Sequence, residues 1–136
     1  MRRIGIATLT WAEYLGIDFQ TAGRLVRTKQ AERVRQTQAK MGRYTKLGKK
    51  AGGHVFNTGG LPSMRHGAAV IGITVATMRK VNQMSAKVGG KITGGRSNFA
   101  RQTLTGFNPG HRMFLDPLSA WTRAIWDDVL DAGTIT

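Results

Sequence analysis

The sequence predicts a mainly α fold, with a short N-terminal β-hairpin or sheet edge followed by about four to five helices joined by glycine-rich connections. Three observations predict it. Apolar residues recur at threes, fours and sevens from residue 21 onward; capping residues stand before several of those stretches; and glycine pairs at Gly52-Gly53, Gly59-Gly60, Gly89-Gly90 and Gly94-Gly95 punctuate the middle. A length of 136 residues fits one domain. Three regions are expected within it: a strand-rich edge over 1–20, a basic helical region over 21–90, and a helical region over 91–136 that ends in an acidic amphipathic helix.

In the first region two apolar stretches, around Ile4-Gly-Ile6 and around Tyr14 to Phe19, carry β-branched and aromatic residues at strand spacing. From Thr21 the period becomes helical. Val34, Met41 and Gly48 fall at sevens, with Ala31, Thr37, Gln38, Tyr44 and Leu47 filling the same side, while the polar side is almost wholly cationic. Gly48 to Gly60 reads as a connection, and Gly60-Leu61-Pro62 places Pro62 in the first turn of a short helix that fades near Gly67 to Gly72.

Thr74 is an N-cap for a helix carrying Val75, Met78, Val81 and Val88 on one stripe, with Arg79, Lys80 and Lys87 on the other face and Gly89-Gly90 at its end. Ser97 starts a further short helix over 97–105, and Asn108-Pro109-Gly110 is read as a break. The last helix is expected to open with Asp116 as N-cap and Pro117 at the first helical position. Its apolar stripe is Leu118, Trp121, Ile125 and Val129, and Gly133 lies past its end.

Charge decides the class of partner. Residues 1–115 hold 20 of the 21 Lys and Arg and three acids (Glu13, Asp18, Glu32), a net of +17; residues 116–136 hold Arg123 and four acids (Asp116, Asp127, Asp128, Asp131), a net of −3. Such a field selects polyanions, nucleic acid first among them. The densest stretch carries Arg24, Arg27, Lys29, Arg33, Arg35, Lys40, Arg43, Lys46, Lys49 and Lys50 against the single acid Glu32. These ten are the expected nucleic-acid-binding residues. Like charges this close repel one another unless an anion arrives. A surface engaging six to ten phosphates loses on the order of 10³ to 10⁵ in affinity between 50 and 200 mM salt.

Catalysis is poorly supplied, so no catalytic residue, metal site or cofactor is expected. His54, His66 and His111 match no zinc-protease spacing, and the chain has no cysteine to complete a zinc site or form a disulfide. Asp127 and Asp128 point about 100° apart on a helix, and solvation explains them and Asp131. Gly42 to Lys50 fails as a phosphate loop, since five residues separate Gly42 from Gly48 and Lys50 stands where a Ser or Thr would hold magnesium. Gly89 to Arg96 could bend around a phosphate, but a flexible helix connection explains the same residues more cheaply. Of the aromatics, Tyr44 is the stacking candidate, with packing the stronger reading, and Trp121 and Trp126 are assigned to core or docking. No membrane partner is expected. Polar residues spoil the Ile4 to Ala12 stretch as a signal peptide, and Gly67 to Met78 is too short to span a bilayer, which makes the expected location intracellular, the nucleus included.

Tyr14-Leu-Gly-Ile-Asp-Phe19, then Gly23-Arg24 and an arginine-rich helix, then Gly60-Leu-Pro-Ser-Met-Arg-His-Gly67 with Val70-Ile-Gly-Ile-Thr74, resemble the region after the palm in non-LTR (LINE-type) retrotransposon reverse transcriptases. Pro117-Leu-Ser-Ala-Trp121 and Ala124-Ile-Trp126 resemble its continuation, so the likeness runs over nearly the whole chain. It implies that residues to about Phe19 end a palm and that the following helices act as a thumb on a template–primer duplex, with an upstream palm domain as partner. His66 departs from the tyrosine common there. The family's Tyr-x-Asp-Asp polymerase loop has no counterpart, because Asp127-Asp128 follows Trp126 in an expected helix. The resemblance therefore implies a fragment or decayed copy of an RNA-directed DNA polymerase without its active site. Two other readings stand beside it: a free-standing basic RNA-binding, ribosome-associated protein, and a viral structural or packaging protein.

Overall fold

The computed structural model describes residues 11–14, 17–20, 27–89, 97, 100 and 106–133, and it is mostly helical. Trp11–Tyr14 (β1) and Ile17–Gln20 (β2) pair antiparallel, with Trp11 opposite Gln20 and Tyr14 opposite Ile17. The Ile4 to Ile6 stretch lies outside the described residues.

Helix α1 spans Thr28–Lys46. It starts later than the expected Thr21, because Arg27 has φ −130 and ψ 35 and is not helical; residues 21–26 lie outside the described set. Gln30, Val34, Thr37 and Met41 are buried and Tyr44 is half-buried, a spacing of fours and threes that keeps one stripe on the core. Ala31, Gln38 and Leu47, expected on that side, are exposed, because the stripe is narrower than the pattern of small and polar residues suggested.

The expected glycine-rich connection over 48–60 is instead helical. α2 (Gly48–Val55) runs through a π-helical turn (Phe56–Gly60) into α3 (Leu61–Arg65). Tertiary contact overrides the weak helix propensity of glycine here. A Cβ on Gly52 would overlap the backbone carbonyl of Tyr44, so α2 lies on α1 at a distance only glycine permits. Phe56, fully buried, meets the Tyr44 ring edge-on, with centroids 6.1 Å apart.

A four-residue helix, α4 (Ala68–Ile71), leads to α5 (Val75–Val88). Thr74 caps α5 as the sequence predicts, its Oγ1 accepting from the Thr77 N–H at 3.1 Å, and Gly89 ends it. Val81, Met84 and Val88 are buried and Met78 packs on them, while Val75 is exposed. Residues 101–105 of the expected helix over 97–105 lie outside the described residues; Ser97 Oγ accepts from the Ala100 N–H at 3.3 Å.

The last helix, α6 (Pro109–Gly133), starts well before the expected Pro117. Both Asn108-Pro109 and Asp116-Pro117 carry the cap-then-proline signal, and the structure uses the first. Asn108 Oδ1 accepts from the His111 N–H at 3.2 Å, and Pro109 is buried at the first helical position. Pro117 sits inside the helix, where it can offer no N–H to the Met113 carbonyl.

Asp116 is thereby released from capping and used elsewhere. Its carboxylate accepts two hydrogen bonds from Arg65, Nε and Nη2 each at 2.7 Å, which ties α3 to α6. That bond raises the Arg65 pKa above its ordinary value, against a small opposing effect of burial. α5 and α6 cross at Gly110, whose N–H donates to buried Asn82 Oδ1 at 2.8 Å; a Cβ there would overlap the Met78 carbonyl. One core results, drawing Val34 and Met41 from α1, Phe56 and Met64 from the α2–α3 run, Val81, Met84 and Val88 from α5, and Met113 from α6. Four of these are methionines, whose unbranched side chains fill the irregular gaps left where short helices meet.

Gly110→Ala is expected to cost about 2 kcal/mol or more, and Gly52→Ala a similar amount, because each forces two backbones apart. Gly42→Ala, where nothing lies within 4 Å of the new methyl group, should instead gain about 0.5–1 kcal/mol. Asp116→Asn should lose about 1–2 kcal/mol, a modest figure because the Arg65 side chain is 56% exposed and regains water. Urea unfolding followed by far-UV circular dichroism measures all four.

Candidate nucleic-acid interface

Helical geometry separates the cations of α1 into groups with different work. The buried row is Gln30, Val34, Thr37, Met41 and Tyr44. Shifting each by one residue gives Lys29, Arg33, Gln36, Lys40 and Arg43, a row about 100° around the helix that runs along one edge of the core stripe. Lys40 and Arg43 are exposed, and Lys29 and Arg33 are half-buried. Arg35 and Lys46 are exposed on the side away from the core, and Lys49 and Lys50 are exposed at the start of α2. Arg24 lies outside the described residues.

Arg27 and Arg33, both expected as contact residues, are engaged in holding the fold. Arg27 Nε donates to the Ile71 carbonyl at 3.2 Å, Arg33 Nη1 to the His66 carbonyl at 3.3 Å, and between them Gln30 Nε2 to the Met64 carbonyl at 3.4 Å. These carbonyls stand at the C-terminal ends of α3 and α4. Their helices supply them no N–H, and a guanidinium is a suitable donor for such an end.

The structure adds cations from α5. Arg79, Lys80 and Lys87 are exposed, as the sequence predicts for its outer face. Lys80 and Lys87 line a groove of about 230 Å³ between α1 and α5, together with Gln38, Gln83, Met41 and Met84. The ten residues expected from the sequence include neither lysine, because nothing in the sequence alone says that α5 packs beside α1. Their seven-residue spacing was the available signal.

The acids are kept away from this surface. Between Glu32 and Asp116 the sequence holds no Asp or Glu, and Glu32 accepts from Gln36 Nε2 at 3.2 Å. Among α1, α2 and α5, Glu32 is the one acid, while Lys40 and Arg43 lie on the edge of the α1 core stripe opposite Gln38, which lines the groove with Lys80 and Lys87.

His54, His66 and His111 are exposed and separate, and among the described residues no three of His, Cys, Asp and Glu gather. Tyr44 is half-buried and packs against Phe56, in keeping with the packing reading. Trp121 and Trp126, assigned to core or docking, are both exposed, which removes the core assignment. Among the described residues no helix is long and apolar enough to cross a membrane. No family model, curated protein or solved structure matches the chain.

Arg27→Ala and Arg33→Ala are each expected to lower unfolding stability by about 1 kcal/mol through the carbonyl left without a donor. Lys40→Ala and Lys46→Ala, with exposed side chains, should change it by less than about 0.5 kcal/mol. Thermal unfolding of the four variants separates the two groups of cations.

Proposed function

We propose that this chain binds nucleic acid along its sugar-phosphate backbone, without reading base sequence. The observation that supports the reading is the number of exposed cations on acid-poor helices: Arg35, Lys40, Arg43 and Lys46 on α1, Lys49 and Lys50 on α2, and Lys80 and Lys87 on α5. Ammonium and guanidinium groups on such a surface gain by releasing the counterions condensed on a polyphosphate. Backbone contact positions a protein on a helix and carries no sequence information. Base-reading elements, such as a zinc finger or a cluster of stacking aromatics, are not part of the described surface.

The resemblance to the post-palm region of LINE-type reverse transcriptases supports a finer form of the proposal. On that form the nucleic acid is a template–primer duplex gripped by thumb-like helices, and the polymerising aspartates belong to another part of the protein. A thumb must ignore sequence while it follows a duplex, and that demand matches cations rather than base-reading side chains.

Filter binding over a salt series tests the reading. Affinity should fall steeply, with a log–log slope of several units, and indifference to ionic strength would sink the proposal. Replacing Lys40, Arg43 and Lys46 together by Ala should weaken binding to unrelated sequences about equally and reduce the slope by roughly one unit for each phosphate no longer neutralised. Equal affinity for a single strand and an RNA–DNA hybrid of the same length would remove the thumb form and leave backbone binding standing.

A further inference from the structure

The exposed face of α6 is patterned end to end. His111, Phe114, Leu118, Trp121, Ile125 and Asp128 follow one another at spacings of three, four, three, four and three, the 3.5-residue average of a helix seam made to face another helix. Its four inner positions are apolar and open to solvent: Phe114 is 42% exposed, Leu118 56%, Trp121 61% and Ile125 44%. His111 and Asp128, the outer two, are exposed as well. The buried side of α6, with Met113, Asp116 and Pro109, is a different one, so the seam is not the face that closes this molecule's own core.

We propose that this seam pairs with the same seam of a second copy of the chain, the two α6 helices running antiparallel. Reversing the helix about a two-fold axis between Ser119 and Ala120 sets Leu118 opposite Trp121, Phe114 opposite Ile125 and His111 opposite Asp128. Just off the seam, the same axis sets Arg112 opposite Asp127. Apolar meets apolar in the inner layers, and a basic residue meets an acid at both ends. This match of charge under one axis selects a second copy over an unrelated partner, because the sequence is complementary to its own reversal. A parallel pair would place Asp127 and Asp128 against their own copies. The wider charge distribution agrees: the four acids of residues 116–136 all lie in this helix, while the +17 of residues 1–115 would repel a copy brought up at α1. α5 packs against both α1 and α6, so the seam and the α1 surface belong to different sides of it. Two exposed helix faces of about five turns make a small interface, with a dissociation constant on the order of micromolar.

Sedimentation equilibrium of the full chain, freed of nucleic acid and held in about 0.3 M salt to screen repulsion between the bodies, tests the pairing. A monomer–dimer equilibrium is expected. Trp121→Ala with Ile125→Ala should weaken it by roughly 100-fold or more while helix content by circular dichroism stays constant, since both side chains are exposed in one copy. Arg112→Asp should weaken it about tenfold, because the contact occurs twice, and adding Asp127→Arg should restore it. A chain that stays monomeric, a dimer indifferent to the two apolar substitutions, or a charge exchange that fails to recover association would each overturn the proposal. So would association seen only when nucleic acid is present.

Discussion

Two helices of five and four residues, α3 and α4, cannot sustain themselves, and the row Arg27, Gln30 and Arg33 that satisfies their carbonyl ends is what the rest of the structure depends on. The three residues recur at intervals of three at the start of α1, so a single helical face reaches Ile71, Met64 and His66 together. With those ends fixed, Met64 and Ala68 are held in the core, and Arg65 is presented to Asp116. That bidentate pair then positions α6, and the Asn82–Gly110 bond sets how closely α6 crosses α5. Each contact follows from the one before it.

A chain this basic must also manage its own repulsion. Part of the answer is that two of its arginines face backbone carbonyls, where a positive group is favoured, and a third is matched by the buried Asp116. The remainder stays in water, where the dielectric weakens the mutual cost. Arg27 and Arg33 each donate to a backbone carbonyl at the end of α4 or α3, whereas the cations further along α1 and on α5 are held at the surface by a helix whose other face is committed to the core. The fold and the proposed polyanion contact thus draw on the same residue types at different positions.

This arrangement separates two surfaces of opposite character. α1, with the outer face of α5, is cationic and polar. α6 is apolar along one face and acidic toward its end. α5 stands between them and packs on both, through Val81, Met84 and Val88 in the common core and through Asn82 at Gly110. The proposed polyphosphate contact and the proposed helix seam thus use different side chains. The two also respond in opposite directions to salt: screening weakens attraction to phosphate and relieves repulsion between basic bodies.

By itself the sequence determined the helical class, the cationic side of α1, the Thr74 cap and Gly89 stop of α5, and the presence of a long last helix, because each is written in local periodicity or in a capping group within a few residues of its partner. It could not decide where that last helix begins, since Asn108-Pro109 and Asp116-Pro117 carry equal local signals. Only the availability of Arg65, 51 residues away, assigns Asp116 to an ion pair. It likewise could not show that Gly48 to Gly60 is helical. Of those glycines, Gly52 is required by the closeness of α1's backbone at Tyr44, a contact invisible in one dimension. The roles of Arg27 and Arg33, and the exposure of Trp121 and Trp126, were decided in the same way: residue type fixes what a side chain can do, and the packing of distant elements fixes which of those things it does.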